Sequence, residues 1–222
     1  MIDRATDAWQ ILRIQGEFTK GFDTFSELGP CISVFGSART KVGSKWYEEA
    51  REFGKLIAAE GFGVITGGGP GIMQAANQGA KEYGGKSIGI GIELPFEAGM
   101  NEYVDMGVEN RYFFTRKVMF LKYSQAFVIF PGGLGTMDEL FEAITLAQCG
   151  HNVKYPIVLV GREYWSGLVD WLKDMVHENG MMSTSDFDLF RIVDTAAEAR
   201  DKVIEFHRTF INPVSLSDKT NF

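Results

Sequence analysis

A continuous apolar run that leads through a glycine-rich turn into a helical pattern constrains the fold more than any other stretch. Residues 126–130 (Ala-Phe-Val-Ile-Phe) precede Pro131-Gly132-Gly133-Leu134-Gly135-Thr136, and apolar residues then recur at helical spacing over 140–147. This order predicts a buried strand, a turn and a helix, in which backbone amides at the helix N-terminus face an anion. Glycine has no Cβ, so such a turn lets the backbone approach a ligand closely.

The same alternation of apolar runs and helical patterns recurs along the chain. Runs that are apolar throughout are typical of strands buried on both faces, so the sequence predicts one α/β domain with a mostly parallel sheet and helices on both faces. Ligands of such sheets bind beyond the carboxyl ends of the strands. Further strands are predicted at 31–35, 62–66, 87–92, near 104, at 156–160 and at 190–193, and helices at 45–60, 70–83, 113–123, 164–178 and 196–210.

The N-terminal segment has its own helical pattern. Apolar residues recur at helical spacing over 7–28, and Gly16 and Gly21 are weak points, which indicates one or two amphipathic helices. Such a stripe either covers one face of the sheet or forms a contact between two copies of the chain, and both interpretations remain open. We assign 1–29 to this helical extension, 30–210 to the core and 211–222 to a flexible tail.

Composition and charge exclude several classes of partner. The chain of 222 residues has a formal net charge of −7, which argues against a surface for nucleic acid or an anionic membrane. No apolar run approaches the roughly 20 residues that a membrane span requires, and the first residues lack the layout of a signal peptide. Cys31 and Cys149 stand far apart in apolar surroundings, so we predict a reduced, cytoplasmic protein.

The common nucleotide and metal motifs are absent from the sequence. The glycines at 67–71 are followed by Ile72, where a dinucleotide fingerprint requires glycine. Residues 85–87 (Gly-Lys-Ser) lack the earlier glycine of a phosphate-binding P-loop and precede a strand instead of following one. The three histidines are isolated, so we expect no metal site and no cofactor.

Thr136 and Glu139 admit two interpretations. The pair matches the S/T-x-x-E capping box, in which the two side chains satisfy backbone amides at a helix N-terminus. Alternatively, the hydroxyl and the carboxylate face a ligand. The preceding glycines favour the ligand, because a simple cap does not require them.

A basic stretch at 111–122 contrasts with the acidic chain. It contains Arg111, Arg116, Lys117 and Lys122 and no acidic residue. Most such runs form a solvated helix face, but the interleaved aromatic and aliphatic residues predict a largely buried helix. A buried arginine requires an anionic partner, so we assign Arg116 to a ligand and Lys122 to solvent.

These motifs resemble the lonely guy family of cytokinin riboside 5′-monophosphate phosphoribohydrolases, long described as possible lysine decarboxylases. The resemblance spans about residues 30–210 and lies in Arg116-Lys117, in G-G-G-x-G-I-M at 67–73 and in P-G-G-x-G-T-x-x-E at 131–139. It implies a Rossmann-like homodimer or larger homo-oligomer. The implied reaction is hydrolysis of the N-glycosidic bond of a nucleoside monophosphate, cytokinin riboside monophosphate or AMP, to free base and ribose 5-phosphate without a cofactor.

The resemblance also implies a set of site residues. Arg116 and Glu139 occupy its catalytic positions. The turn at 132–136 would hold the 5′-phosphate, and the loops at 37–39 and 67–73 would line the nucleotide pocket. The binding residues so assigned are Ser37, Arg39, Gly67, Gly68, Gly69, Gly71, Met73, Lys117, Gly132, Gly133, Gly135 and Thr136.

Two other classes of protein are alternatives. A nucleotide-binding or carrier protein can use the same phosphate cradle without chemistry, but phosphate binding alone does not require Glu139. A kinase-like or dehydrogenase-like enzyme is disfavoured by the failed nucleotide motifs. Residues 113–115 (Phe-Phe-Thr), Glu93 and the N-terminal helix differ from plant members of the family, so adenine or another base is an alternative to a cytokinin.

Overall fold

A parallel sheet of seven strands forms the centre of the protein. The computed structural model describes residues 4–93, 99–149 and 155–211. The strands are β1 (Cys31–Phe35), β2 (Gly63–Thr66), β3 (Ser87–Ile92), β4 (Met106–Asn110), β5 (Ser124–Ile129), β6 (Ile157–Val160) and β7 (Phe190–Val193). They lie in the order β4-β3-β2-β1-β5-β6-β7, and all neighbouring pairs are parallel. The predicted α/β fold with a parallel sheet is confirmed.

Helices precede and connect the strands. They are α1 (Arg4–Thr24), α2 (Lys45–Ala59), α3 (Ile72–Glu82), α4 (Phe113–Tyr123), α5 (Leu134–Gln148), α6 (Arg162–Trp171) and α7 (Ala196–Phe206). Helix α6 continues into a π-helical turn at Leu172–His177, and α7 into another at His207–Ile211. A 3-10 helix at Thr184–Leu189 leads into β7.

Each face of the sheet has its own hydrophobic core. In β5, Val128 packs into the core under α2, α3 and α7, whereas Phe127 and Ile129 pack into the core under α4, α5 and α6. All three side chains are at most 2% exposed. Successive strand residues point to opposite faces, so a run that is apolar throughout needs cover on both. The predicted helices on both faces are therefore confirmed.

The order of the strands reverses beside β1. The chain leaves β1 through α2 and adds β2, β3 and β4 on one side, then returns through α4 to place β5 on the other side. The loops that follow β1 and β5 consequently diverge at the carboxyl edge of the sheet. A reversal of this kind opens a crevice in which α/β proteins bind ligands.

The N-terminal helix α1 is continuous through both of its glycines. Its C-terminal half packs on α4, where a Cβ on Gly21 would collide with the side chain of Met119. Residues 7–13 are exposed, with Trp9, Ile11 and Leu12 at 66%, 55% and 56% exposure. The two interpretations of the stripe thus apply to different halves: one half covers the core, and the other half offers apolar surface.

Several local predictions were wrong. Helix α4, predicted to be largely buried, buries only Thr115, Met119 and Phe120, because only one side of it packs against the sheet. Helix α3 begins at Ile72 instead of Pro70, because Gly71 adopts φ +68°, outside the helical region, and forms the N-cap. Cys149 lies exposed at the C-terminus of α5, whereas Cys31 is buried as expected, and both are free thiols. Within the described ranges, no helix combines the length and apolar character needed to cross a bilayer. All but the first residue of the predicted tail lies outside those ranges.

Helices α2 and α3 touch through their backbones, and this contact predicts that Gly79→Ala destabilises the protein. A Cβ on Gly79 would collide with the carbonyl of Arg51. Gly79→Ala must push the helices apart and should lower the free energy of unfolding by about 1–3 kcal/mol, measured by urea denaturation.

Gly16 in α1 is the matched control. No heavy atom lies within 4 Å of a Cβ added there. Gly16→Ala should therefore raise the free energy of unfolding by about 0.5–1 kcal/mol, since alanine restricts the unfolded chain and favours the helix. Equal destabilisation by both substitutions would contradict the close helix contact.

Candidate functional site

Three loops meet at the carboxyl edge of the sheet, where the strand order reverses. The amide of Ser37, after β1, donates to the carbonyl of Pro131, after β5, at 3.0 Å. The amide of Ile72, after β2, donates to the carbonyl of Ser37 at 3.1 Å. The loops that the sequence assigned to one pocket are therefore joined through their backbones.

The glycine loop, residues 67–71, requires glycine where it passes the loop after β1. Gly71 has φ +68°, and a Cβ on it would collide with the carbonyl of Ser37. The side chain of Met73 packs against Gly67 and Gly69, since a Cβ on either would lie within 2.8 Å of it. Gly67, Gly69, Gly71 and Met73 thus form one packed unit against the Ser37 loop.

Asn101 holds the glycine loop from outside any motif. Its side-chain amide donates to the carbonyls of Gly68 and Gly69, both at 3.0 Å, and to Oδ1 of Asn77 at 3.1 Å. Buried Asn77 also accepts the hydroxyl hydrogen bond of Thr66. Sequence reasoning missed Asn101, because its only signal is an asparagine in a polar connection.

Arg116 and Glu139 face each other across α4 and α5. Nη2 of Arg116 lies 3.4 Å from Oε1 of Glu139, and the two side chains are 15% and 6% exposed. The guanidinium lies over the rings of Phe113 and Phe120, with its central carbon 5.3 Å and 5.7 Å from their centroids. A Cβ on Gly67 would be 3.9 Å from Nη1 of Arg116, which places this pair beside the glycine loop.

Burial dominates the electrostatics of this pair. Burial raises the pKa of Glu139, although the cations of Lys117 and Arg116 oppose the change. Burial also lowers the pKa of Arg116, although Glu139 opposes it. In the part of the chain that the structure describes, the buried Nε of Arg116 has no hydrogen-bond partner. A buried donor of this kind costs free energy until an acceptor satisfies it.

Lys117 points towards the carboxylates of α5. Its ammonium lies 2.6 Å from Glu142, 2.9 Å from Asp138 and 3.6 Å from Glu139. Burial lowers the pKa of Lys117, but hydrogen bonds to Glu142 and Asp138 outweigh it, and the pKa is raised overall. Lys117 therefore remains a cation and neutralises part of the charge around Glu139.

The N-terminus of α5 is open to solvent. The helix begins at Leu134, and its N-cap, Gly133, has no side-chain hydrogen bond. Gly133, Leu134 and Gly135 are exposed. The first amides of a helix have no intrahelical partner, so these groups are available to an anion.

The capping-box interpretation of Thr136 and Glu139 is wrong. Helix α5 starts two residues before Thr136, so Thr136 lies inside the first turn and is not the N-cap. The position of Thr136 instead depends on Gly132, because a Cβ on Gly132 would collide with the threonine hydroxyl. The carbonyl of Gly132 accepts a hydrogen bond from the hydroxyl of Tyr164 at 2.6 Å, which ties this turn to α6.

Arg39 joins this arrangement through its backbone. Its backbone amide donates to the hydroxyl of Ser37 at 3.1 Å, and its side chain is exposed. The other predicted residues belong to the three joined loops and the helix ends beside them, or lie where α4 and α5 face each other. Among the described residues, no group of three His, Cys, Asp or Glu side chains could hold a metal ion.

Comparison with known proteins gives a consistent set of relatives. The family model described as "Possible lysine decarboxylase" matches residues 73–203. The cytokinin riboside 5′-monophosphate phosphoribohydrolase of Mycobacterium tuberculosis is 32% identical over 158 residues, covering 68% of this chain and 82% of that protein. A protein of the same name from Arabidopsis thaliana is 31% identical over 180 residues, covering 79% and 82%.

Solved structures support the same fold. The molybdenum cofactor carrier protein from Chlamydomonas reinhardtii superposes with a TM-score of 0.58 at 28% identity, covering 79% of this chain and 96% of that chain. The molybdenum cofactor binding protein from Rippkaea orientalis has the same TM-score at 22% identity and covers 82% and 96%.

Lys117→Met should raise the pKa of Glu139. The lysine cation is the largest influence that lowers this pKa, and methionine removes the charge at similar length. The folded protein would then hold the Glu139 proton more tightly than the unfolded chain does. The free energy of unfolding should therefore fall more steeply than in the wild type as pH rises between the unfolded and folded pKa values.

The shift can be measured by NMR titration of the Glu139 side-chain carboxyl carbon. Lys122→Met is the matched control, because Lys122 is exposed and lies over the ring of Phe22. An unchanged titration of Glu139 in Lys117→Met would show that Lys117 does not neutralise it.

Proposed function

We propose a function from one premise: the chain belongs to the lonely guy family, whose members are also described as possible lysine decarboxylases. The protein hydrolyses the N-glycosidic bond of a nucleoside 5′-monophosphate. The products are the free base and ribose 5-phosphate. One observation carries the proposal: the buried Arg116–Glu139 pair lies beside the glycine loop. A carboxylate and a cation are thereby placed next to a backbone surface suited to a nucleotide.

The 5′-phosphate is assigned to the N-terminus of α5. Within the turn at 132–136, residues 133–135 are exposed, and the N-cap carries no side-chain hydrogen bond. Phosphate binds such an end through backbone N–H groups and the positive end of the helix dipole. The joined loops at 37–39 and 67–73 then line the pocket for the nucleoside.

Glu139 is assigned to the chemical step. Cleavage of the bond between C1′ and the base nitrogen builds positive charge on the ribose. A carboxylate beside the sugar stabilises that charge in the transition state. Water supplies the oxygen that bonds to C1′ as the bond from C1′ to the base nitrogen breaks, and Glu139 accepts one proton of this water. That proton then passes through solvent to the departing base, and Glu139 returns to its carboxylate form. The raised pKa of Glu139 suits a general base that works near neutral pH.

Arg116 is assigned to bind electron-rich groups of the substrate, which the negatively charged Glu139 cannot bind. Its unpaired Nε can donate to the phosphate or ribose of the substrate, or to the base as it departs. Each of these acceptors is electron-rich, and the low exposure of the guanidinium strengthens the interaction. The phosphate of the substrate would give Arg116 the hydrogen bond that its surroundings lack.

The decarboxylase named in the family description is not the activity we propose. A lysine that forms a Schiff base must act as a neutral amine. Lys117, the lysine nearest to the pair, has three carboxylate neighbours and a raised pKa, which favours the cation. We therefore treat Lys117 as a charge partner of Glu139 that also lies within the assigned nucleotide site.

A non-catalytic carrier is the second candidate. The likeness to the Chlamydomonas molybdenum cofactor carrier protein at 28% identity favours it. Such a protein would use the same cradle at α5 to hold a phosphate. It has no need of the buried carboxylate of Glu139, so hydrolysis accounts for more of the site.

A homodimer or larger homo-oligomer is part of the proposal. The α4 side chains Phe113, Phe114 and Val118 are 52%, 48% and 40% exposed, and Trp9 and Leu12 of α1 are exposed too. Exposed apolar groups in such numbers mark contact surfaces. Sedimentation equilibrium should give a mass of at least twice 24.7 kDa; a monomer at micromolar concentration would contradict this assignment.

The activity is tested by chromatography of free base after incubation with AMP and, separately, with N6-isopentenyl-AMP. Release of base from either nucleotide supports hydrolysis. Release from the modified nucleotide alone indicates cytokinin activation, and release mainly from AMP indicates a general nucleotide hydrolase. Binding of both nucleotides with no base released would favour the carrier.

Glu139→Gln should bind the nucleotide and lose turnover. The amide keeps the size of the side chain but cannot accept the proton of water, so we expect kcat to fall by about 10²- to 10⁴-fold. Affinity for AMP, measured by calorimetry, should be unchanged or higher because a negative charge near the phosphate is removed. Glu163→Gln, an exposed residue of α6, is the control, and equal rates in both variants would remove Glu139 from the mechanism.

A further inference from the structure

The carboxylate of Glu17 on α1 binds the N-terminal end of the helix that carries Arg116. We infer that Glu17 is a positioning residue: it fixes the first turn of α4 and thereby the distance between Arg116 and Glu139. The inference rests on the proposed function for its kinetic consequence. Its structural part, the ordering of α4 by α1, stands independently of the reaction.

The contacts of Glu17 reach three groups at the start of α4. Its Oε1 accepts a hydrogen bond from the amide of Arg111 at 2.9 Å. Its Oε2 accepts one from the hydroxyl of Thr115 at 2.6 Å and lies 3.5 Å from the amide nitrogen of Tyr112. One carboxylate thus engages both backbone amides that precede the helix and a side chain in its first turn.

Helix α4 lacks a cap of its own. Its N-cap residue, Tyr112, makes no capping hydrogen bond with its side chain. Helix N-termini without a side-chain acceptor leave amide groups unsatisfied. Glu17, 94 residues before Arg111 in the chain, accepts from the N-cap amide of Tyr112 and from the amide before it, and its negative charge is favourable at the positive end of the helix dipole.

The first turn of α4 depends on this contact because its backbone hydrogen bond is long. The amide of Arg116 lies 3.5 Å from the carbonyl of Tyr112. Thr115, fully buried, shares its single hydroxyl proton between Glu17 and that same carbonyl at 2.7 Å. Arg116 is the next residue, so the link through Thr115 ends one peptide bond from the proposed catalytic arginine.

Helix α1 approaches α4 closely enough to hold it. Gly21, one helical turn beyond Glu17, lies against Met119, and any Cβ there would collide with the methionine. Helix α1 therefore contacts α4 at two places, with Glu17 at the start of α4 and Gly21 at Met119 in its second turn. Helix α1 lies outside residues 73–203 that the family model matches, so this support comes from the N-terminal extension of the chain.

The contact of Glu17 also makes the N-terminus of α4 different from that of α5 as a site for an anion. At α4 a carboxylate already lies at the N-terminus and accepts from the two amides that precede the helix, whereas at α5 the N-cap makes no side-chain hydrogen bond. A second anion near Glu17 would meet like charge. The arrangement therefore directs a phosphate to α5 and reserves the end of α4 for Glu17.

The kinetic test compares three substitutions with a control. Glu17→Ala removes all three contacts, and we expect kcat to fall about tenfold, with KM changed less than about threefold, since small displacements of a catalytic group cost rate more than binding. Thr115→Val keeps the buried volume but removes the hydroxyl, and it should lower kcat in the same way. Glu27→Gln, an exposed glutamate beyond the end of α1, should leave both constants unchanged.

Glu17→Gln provides the rescue. Its amide oxygen can accept from the amide of Arg111, and its NH₂ group can donate to the hydroxyl of Thr115, whose proton then goes to Tyr112. We expect this variant to retain kcat within about threefold of the wild type. A merely structural role would instead make kcat of the folded protein equal in all variants, with differences only in thermal stability.

Hydrogen exchange measures the positioning without any reaction. In Glu17→Ala the amides of Arg111 and Tyr112 should exchange at least about tenfold faster, while the amides of β5 exchange as in the wild type. Unchanged exchange at these amides, or an unchanged kcat in both Glu17→Ala and Thr115→Val, would overturn the inference. If the wild type releases no base from any nucleotide, the proposed function fails, and the exchange result alone decides the role of Glu17.

Discussion

The interaction between Arg116 and Glu139 is the one on which the site depends. Both side chains are largely removed from water, and their closest atoms are 3.4 Å apart, a distance too long for a strong charge-assisted hydrogen bond. Burial therefore shifts both pKa values towards the neutral forms in spite of the attraction between the charges. The surrounding helices must hold the pair together, since the pair alone contributes little net stability.

The sheet supplies the rigidity that this pair lacks. The reversal of strand order beside β1 sends α4 and α5 to the same face, with their N-termini at the same edge. Arg116 in the first turn of α4 and Glu139 in the second turn of α5 then face each other. Lys117 links the two helices through the carboxylates of α5, and Asn101 holds the glycine loop that forms the opposite wall.

Sequence patterns predicted the parts of this structure that local chemistry controls. The bounds of β1 and β3 agree with their predictions to the residue, because each follows a glycine-bearing turn, at 29–30 and 84–85, that marks where the strand begins. The start of α5 differed, since the N-cap is Gly133, three residues earlier than the Thr136 that the capping-box pattern indicates. The roles of the site residues stay predictions, although the loops that carry them do meet.

The sequence by itself determined the alternation of strands and helices, the two-sided burial of the sheet and the glycine-bearing loops, since these follow from residues close together in the chain. Only the tertiary structure decided which charges meet. Lys117 faces three carboxylates of α5, and Glu17 binds the end of α4 from 94 residues away. Contacts of this kind depend on the packing of distant helices, because a charged side chain has no periodicity that identifies its partner.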